Sequence, residues 1–91
     1  MQWRRGVTVE NKKGKWYLIN GERHQKIEEE NIPIIEAMEQ GVSEDKEIVR
    51  YLARTQKQDE IVASFQLAQF MLDYIDYISE PPAQDYELIE P

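Results

Sequence analysis

The longest apolar segment of the chain, residues 59–79, has the periodicity of a helix with two apolar faces. At ~100° per residue, one set of side chains falls on a narrow stripe: Ile61, Phe65, Ala68, Leu72 and Ile75. A second ridge, more than a right angle away, consists of Leu67, Phe70, Met71, Tyr74, Tyr77 and Ile78. Polar residues occupy the remaining side. The pattern leaves two interpretations open: both faces are core, or the second ridge faces a partner.

The pattern near the start of the chain predicts a three-stranded antiparallel meander. Residues 6–10 alternate apolar and polar side chains, and residues 11–14 form a turn that ends at a glycine. Residues 15–19 are apolar on both faces, which is typical of a central strand. Asn20 and Gly21 predict a tight hairpin turn. The third strand, residues 22–27, is mostly polar, and we expect it to be an exposed edge.

Two shorter helices are predicted between the meander and the long helix. Asn31 is a suitable N-cap, Pro33 sets the first helix to begin near Ile32, and Gly41 ends it. Ser43 is expected to cap the second helix. The side chains expected to face inward are Ile34, Ile35 and Met38 on the first helix and Ile48, Val49, Tyr51 and Leu52 on the second.

The order of these elements predicts an α+β fold, winged-helix-like, with a three-stranded antiparallel sheet followed by three helices. With 91 residues, the chain is expected to form a single domain over residues 1–80. Pro81 and Pro82 end the last helix. Residues 81–91 form an acidic C-terminal tail that carries Tyr86, Leu88 and Ile89. This tail either extends freely or folds back over the second ridge.

The composition narrows the class of protein. A hydrophobic fraction of 41% is typical of a folded chain, and the lack of cysteine excludes disulfides and thiolate metal sites. No apolar segment follows the charged residues at the start, so a cytoplasmic location is expected. Asp73 and Asp76 interrupt the apolar run, which is too short to span a membrane.

Charge is divided unequally along the chain, whose net charge is −7. Residues 1–26 carry seven basic and two acidic residues, whereas residues 27–91 carry four basic and sixteen acidic residues. The basic part could attract an acidic partner, or both parts could be solvated surface. Residues 59–79 contain no Lys or Arg, so nucleic acid is not the expected ligand, because phosphate contacts dominate affinity for it.

Residues that could perform catalysis do not form a recognisable set. The chain has one histidine, His24, and no nucleophile-elbow or phosphate-binding glycine motif. The adjacent acids Glu28, Glu29 and Glu30 are more typical of a helix start than of an acid–base pair. We therefore expect a protein that is not an enzyme and that needs no metal or cofactor.

Five segments in order carry a family resemblance: residues 14–21, 24–27, 32–41 and 47–52, and then the final apolar helix. Together they resemble a RiPP recognition element, a small winged-helix domain similar to the pyrroloquinoline-quinone peptide chaperone. The leader-binding proteins of lasso-peptide and azole-peptide pathways are of this kind. The resemblance covers residues 6–79 and rests on element order and apolar pattern.

The resemblance implies that the leader segment of a ribosomally made precursor peptide binds as an added strand and is presented to a modifying enzyme. The peptide would lie on the third strand, in a groove whose other wall is the last helix. The implied strand residues are Arg23, His24, Gln25, Lys26 and Ile27. The implied wall residues are drawn from Phe65, Leu67, Phe70, Met71, Tyr74 and Tyr77. Arg23 and Lys26 could receive acidic side chains of the leader.

Two other functions are compatible with the sequence. A small acidic chain of this kind could be a protein–protein inhibitor, for instance of the phage anti-CRISPR or anti-restriction type, whose carboxylates mimic nucleic acid. Its working surface would then be acidic: Glu28, Glu29, Glu30, Glu36, Glu39, Glu44, Asp45 and Glu47. A homodimer that pairs the second ridge with itself is also possible.

Overall fold

The computed structural model describes residues 1–79, and over this range the chain has an α+β fold with a three-stranded antiparallel sheet and three helices. The elements in chain order are β1 (Gln2–Trp3), β2 (Val7–Lys12), β3 (Lys15–Asn20), β4 (Arg23–Lys26), α1 (Ile32–Glu39), α2 (Asp45–Thr55), α3 (Glu60–Asp73) and β5 (Ile78–Ser79). Short 3₁₀ turns occupy Glu29–Asn31 and Ile75–Tyr77. The predicted tail, residues 81–91, lies outside the described residues.

The predicted meander is confirmed, with the strand order β2-β3-β4. The central strand β3 buries Leu18 completely, and all four residues of the edge strand β4 are exposed. The first turn is tighter than expected, because Lys12 already pairs with Lys15. Its two central residues, Lys13 (φ 56°) and Gly14 (φ 83°), adopt the positive φ angles that a tight turn of this kind requires.

The first two helices are present, with one corrected boundary. Helix α1 begins at Ile32, next to Pro33, as predicted. The predicted cap at Ser43 is wrong, since α2 begins at Asp45 and the extended residue Glu44 precedes it. The Ser43 carbonyl instead accepts a hydrogen bond of 2.6 Å from the amino group of Met1. Ile34, Ile35, Ile48 and Leu52 are buried, as expected, and Met38, Val49 and Tyr51 are half-buried.

The last helix is shorter than predicted. Helix α3 begins after Asp59, whose carboxylate accepts a hydrogen bond of 2.8 Å from the Ile61 amide, and ends at Asp73. The chain then forms a 3₁₀ turn and the strand β5, which pairs antiparallel with β1. The prediction of helix to Ser79 is therefore wrong. The partner of β5 lies at the opposite end of the chain, where no local pattern could indicate the pairing.

The two apolar faces of α3 have opposite environments. On the second ridge, Leu67, Phe70, Tyr74, Tyr77 and Ile78 are each at most 4% exposed, and Met71 is half-buried. On the narrow stripe, the large side chains are exposed: Ile61 by 66%, Phe65 by 71%, Leu72 by 64% and Ile75 by 47%. Both interpretations of the pattern are therefore wrong. One face is core, and the face that reaches solvent is the narrow stripe.

Aromatic contacts explain which face of α3 is buried. The rings of Phe70 and Tyr74 lie 4.8 Å apart, and Trp3 of β1 approaches Phe70 edge-on at 6.3 Å. Aromatic side chains bury the largest apolar areas, and edge-on pairs are favourable. The β1–β5 pair holds Trp3 over the second ridge. The N-terminal strand therefore completes the core on this side of α3.

Two alanine substitutions on one helix should separate the buried face from the exposed face. Phe70→Ala should lower the free energy of unfolding by ~3–5 kcal/mol, because it leaves a cavity in the core. Phe65→Ala, the matched control, should change it by less than ~0.5 kcal/mol. Urea denaturation at low micromolar protein, followed by circular dichroism, measures both values. Equal losses would contradict the assignment of the two faces.

Candidate functional site

Within residues 1–79, no strand pairs with the outer edge of β4, so backbone groups of this edge point away from the sheet. The Ile27 amide donates a 2.9 Å hydrogen bond to the Trp16 carbonyl, which sets the register of β4 against β3. In an antiparallel pair, successive residues direct their backbone groups alternately toward and away from the partner strand. Arg23 and Gln25 therefore face β3, whereas the N–H and C=O groups of His24 and Lys26 point away from the sheet.

Contacts with the end of α3 limit the open edge on both sides. After Lys26, the next outward-facing amide is that of Glu28, and it donates a 3.0 Å hydrogen bond to the Tyr74 hydroxyl. At the other end, the Arg23 guanidinium lies 3.6 Å from the Asp76 carboxylate. The open edge is therefore a short segment. The two contacts fix its distance from residues 74–76, which follow α3.

The two faces of β4 differ in what they present. Arg23 and Gln25 share the face of Leu18, which is directed toward the helices. His24 and Lys26 share the outer face with Tyr17 and Ile19. The Arg23–Asp76 pair is well exposed, at 70% and 63% of the two side chains, so it is weak and open to exchange. Within residues 1–79, Lys26 forms no ion pair within 4 Å.

Lys26 also lies at the border of a surface cavity of about 370 Å³. The cavity is formed between the turn of the first hairpin and α1, and Trp16, Ile32 and Pro33 supply its apolar lining. Glu29 and Glu36 lie at the same cavity and give it acidic groups. A side chain on the outer face of β4 therefore has both apolar and charged surface within reach.

The apolar wall that the resemblance implied is not open to a peptide. Leu67, Phe70, Tyr74 and Tyr77 are buried within this chain's own core, because the second ridge faces inward. The Tyr74 hydroxyl accepts a hydrogen bond from the amide of Glu28, two residues after the end of β4. These four residues therefore cannot form pockets for a ligand without opening the fold.

The last two predicted wall residues lie elsewhere on α3. Met71 lines a cavity of about 530 Å³ between α2 and α3, together with Val49 and Ala68. Phe65 belongs to the exposed narrow stripe, opposite the core. The structure therefore does not bring the predicted strand residues and the predicted apolar wall together.

The flank of α3 nearest β4 is polar instead. The Gln66 amide donates a 2.8 Å hydrogen bond to the Glu30 carbonyl, which shows that this flank faces the segment after β4. One turn further along, the Gln69 amide donates a 2.9 Å hydrogen bond to the Asp73 carboxylate. Asp73 follows Gln66 by seven residues, or two helical turns, and therefore lies on the same flank of α3, while Asp76 contacts Arg23 of β4.

The narrow stripe was predicted to belong to the core, but its large side chains are exposed. It extends from Ile61 to Ile75, and Val62, 50% exposed, borders it. Its C-terminal end opens into an apolar cavity of about 360 Å³, lined by Ala68, Met71, Leu72, Ile75 and Ile78. The hydrophobic periodicity identified these residues as one set. It could not tell which set of a two-faced helix points to solvent.

Other kinds of site receive no support within residues 1–79. In this part of the chain, no group of three or more His, Asp or Glu side chains is placed to hold a metal ion. No helix of the described residues is long and apolar enough to cross a bilayer. The main exposed features of the described residues are the open edge of β4, the narrow stripe and the surface cavities next to them.

Comparison with protein-family models, with curated proteins and with solved structures finds no match to this chain.

Proposed function

We propose that this chain is a non-catalytic, winged-helix-like domain that captures an extended peptide as an added strand on β4. The peptide is the leader segment of a ribosomally synthesised precursor, and the complex is presented to a modifying enzyme in the cytoplasm. The observation that carries the proposal is the outward-facing backbone of His24 and Lys26 on an edge strand beside α3. Strand addition uses this arrangement in peptide recognition.

The energetics of strand addition limit what the edge can contribute. His24 and Lys26 together offer two N–H donors and two C=O acceptors to an incoming strand. Each backbone hydrogen bond contributes only ~0.5–1.5 kcal/mol net, because the free groups are hydrated. The backbone therefore supplies an affinity that is independent of the peptide's sequence. Contacts of the peptide's side chains must supply the remainder and the specificity.

The charged side chains around the β4 edge indicate which side chains a bound peptide should carry. A strand paired with β4 directs alternate side chains toward the helices and toward the outer face. On the helix side, an acidic side chain can replace Asp76 as the partner of Arg23, while basic or amide side chains can bind Asp73 and Gln69. On the outer face, an acidic side chain can pair with Lys26. The preferred ligand is therefore a polar peptide of mixed charge.

The other edge of the sheet provides an internal comparison. In β2, the same alternation directs the backbone of Val9 and Asn11 outward. Among the described residues, Tyr74 and Asp76 contact β4 and the residue pair that follows it, and no corresponding hydrogen bond or ion pair joins the end of α3 to β2. We therefore assign peptide binding to β4 and use β2 as the control.

Amide hydrogen exchange can locate the added strand directly. The probes are synthetic peptides covering the first ~25 residues of each short reading frame next to the gene, a length that exceeds a typical strand. On binding, the His24 and Lys26 amides should become protected, because they gain hydrogen-bond partners. The Val9 and Asn11 amides should remain unchanged. Protection at the β2 edge, or no protection at either edge with any peptide, would contradict the proposal.

Charge reversal tests the polar contacts separately from the backbone. Arg23→Glu should weaken binding of such a peptide by about tenfold, which corresponds to ~1.4 kcal/mol. Arg5→Glu, an equal charge change at another exposed position, should have little effect. Fluorescence anisotropy with a labelled peptide measures both affinities, and circular dichroism verifies folding.

Neutralising the acidic segment after β4 distinguishes the alternative function. If the chain is an acidic inhibitor that mimics nucleic acid, replacing Glu28, Glu29 and Glu30 by Gln should abolish its activity. Under the peptide-binding proposal, a variant with Gln at positions 28 and 30 alone keeps its affinity for the peptide within about twofold, because these two side chains lie beyond the open edge; Glu29 is left in place because it borders the cavity beside Lys26. A large loss of peptide affinity in this variant would count against the assigned edge.

A further inference from the structure

The narrow stripe of α3 is an exposed apolar face that the peptide-binding edge does not use. We propose that it is the docking surface for a second copy of this chain, and that the two α3 helices pack face to face and antiparallel. This inference does not depend on the proposed function, because the stripe and the β4 edge are separate surfaces.

The area of the stripe fits a small dimer interface. The large side chains of the stripe, which are Ile61, Phe65 and Leu72 on α3 and Ile75 in the 3₁₀ turn after it, and the bordering Val62 are each between 47% and 71% exposed. Together they expose roughly 500 Å² of apolar surface, toward the upper end for the largest patch on a monomer. Pairing two stripes would bury on the order of 1,000 Å², about the minimum for a specific interface. A dimer of moderate, concentration-dependent stability is therefore expected.

The chemistry of the face favours an identical partner over a charged one. No charged side chain lies on the stripe between Ile61 and Ile75, and its immediate neighbours on α3 include Ser64 and Gln69. Such a face offers hydrophobic burial but no ionic selectivity for a basic or acidic target. A two-fold interface needs only a surface that is complementary to itself. The stripe meets this requirement, because it is apolar along its whole length.

The sequence of side-chain sizes along the stripe fits an antiparallel arrangement. Ala68, the smallest member, lies near the middle of α3, with Phe65 three residues before it and Leu72 four residues after it. If the two helices cross at Ala68, Phe65 of each copy packs against Leu72 of the other. The small residue permits close approach at the crossing point, and antiparallel helix dipoles attract each other.

Dimer formation through the stripe leaves the peptide-binding edge free. The flank of α3 that carries Gln66 faces the segment after β4, while Met71 faces α2 on the opposite flank. The stripe lies between these flanks, opposite the core. The second copy therefore does not need to cover His24 or Lys26, and a failure of dimer formation would not affect the peptide-binding proposal.

The mass in solution tests the proposal with one pair of variants. Multi-angle light scattering of the full chain should give a mass that rises toward twice 10.8 kDa as the protein concentration increases to ~100 μM. Added salt should favour the dimer, because it screens the repulsion between two chains of charge −7. Phe65→Lys should remain a monomer throughout. Thr8→Lys, the same change of charge on the exposed face of β2, should behave as the unmodified chain.

Engineered cysteines test the antiparallel geometry, since the natural chain has none. At an interaxial distance of about 8–10 Å, facing Cα atoms at the crossing point lie close enough for a disulfide. Ala68→Cys should therefore form a covalent dimer under mild oxidation. Ile61 is about 10 Å from Ala68 along the helix, so two copies of Ile61→Cys would lie ~20 Å apart and should remain unlinked. Thr8→Cys is the control for random collision.

The outcomes separate the possible occupants of the stripe. A strictly monomeric full chain at the highest concentration would overturn the proposal and leave another protein, or residues 80–91 of the same chain, as the occupant. A dimer that Phe65→Lys does not disrupt would also overturn it, because another surface would then hold the copies together. Crosslinking through Ile61→Cys, with or without crosslinking through Ala68→Cys, would disprove an antiparallel arrangement that crosses at Ala68.

Discussion

Burial of the second ridge of α3 is the constraint on which the rest of the structure depends. Phe70 and Tyr74 pack against each other and, through Trp3, against the N-terminal strand. Within residues 1–79, the other elements pack against this ridge and do not cover the opposite face of the helix. Because the second ridge forms the core, the side chains of the narrow stripe on the opposite face are exposed to solvent. The exposed apolar surface is a consequence of how the core is built.

Tyr74 links this core to the candidate binding edge. Its ring is buried against Phe70, while its hydroxyl accepts the hydrogen bond from the Glu28 amide just beyond β4. One side chain thus sets the position of the last turn of α3 relative to the open edge of the sheet. The edge is consequently held on a rigid element and not on a loop, as a preorganised strand acceptor should be. The polar flank of α3 then determines which side chains of a bound peptide are compatible.

The two exposed features divide the surface into regions of different chemistry. The β4 edge offers backbone hydrogen bonds and charges of both signs, which suit a polar extended segment. The narrow stripe offers apolar area without charge, which suits self-association. Because they lie on different sides of α3, the molecule can present both at once. A dimer built on the stripe would carry two peptide-binding edges. Such a dimer would bind a partner that displays two copies of the peptide more tightly than a single edge could.

Local sequence signals were sufficient for most of the secondary structure. Gly21, Pro33 and the alternation in β2 predicted the meander and the start of α1, because turn and helix-start chemistry acts over a few residues. The second turn is nevertheless centred on Gly21 and Glu22 and not on Asn20 and Gly21, since Asn20 still pairs with Arg23. The same reasoning predicted an edge strand over residues 22–27, whereas β4 covers Arg23–Lys26 and the predicted strand residue Ile27 is buried, with its amide bonded to Trp16. Tertiary structure decided which face of α3 is buried, where that helix ends and what lines the space beside β4. The buried face and the end of the helix depend on Trp3 and the β1–β5 pair, whose partners lie about 75 residues apart. The lining beside β4 depends on the contact of Gln66 with Glu30, which is 36 residues away, so no local periodicity could reveal any of the three.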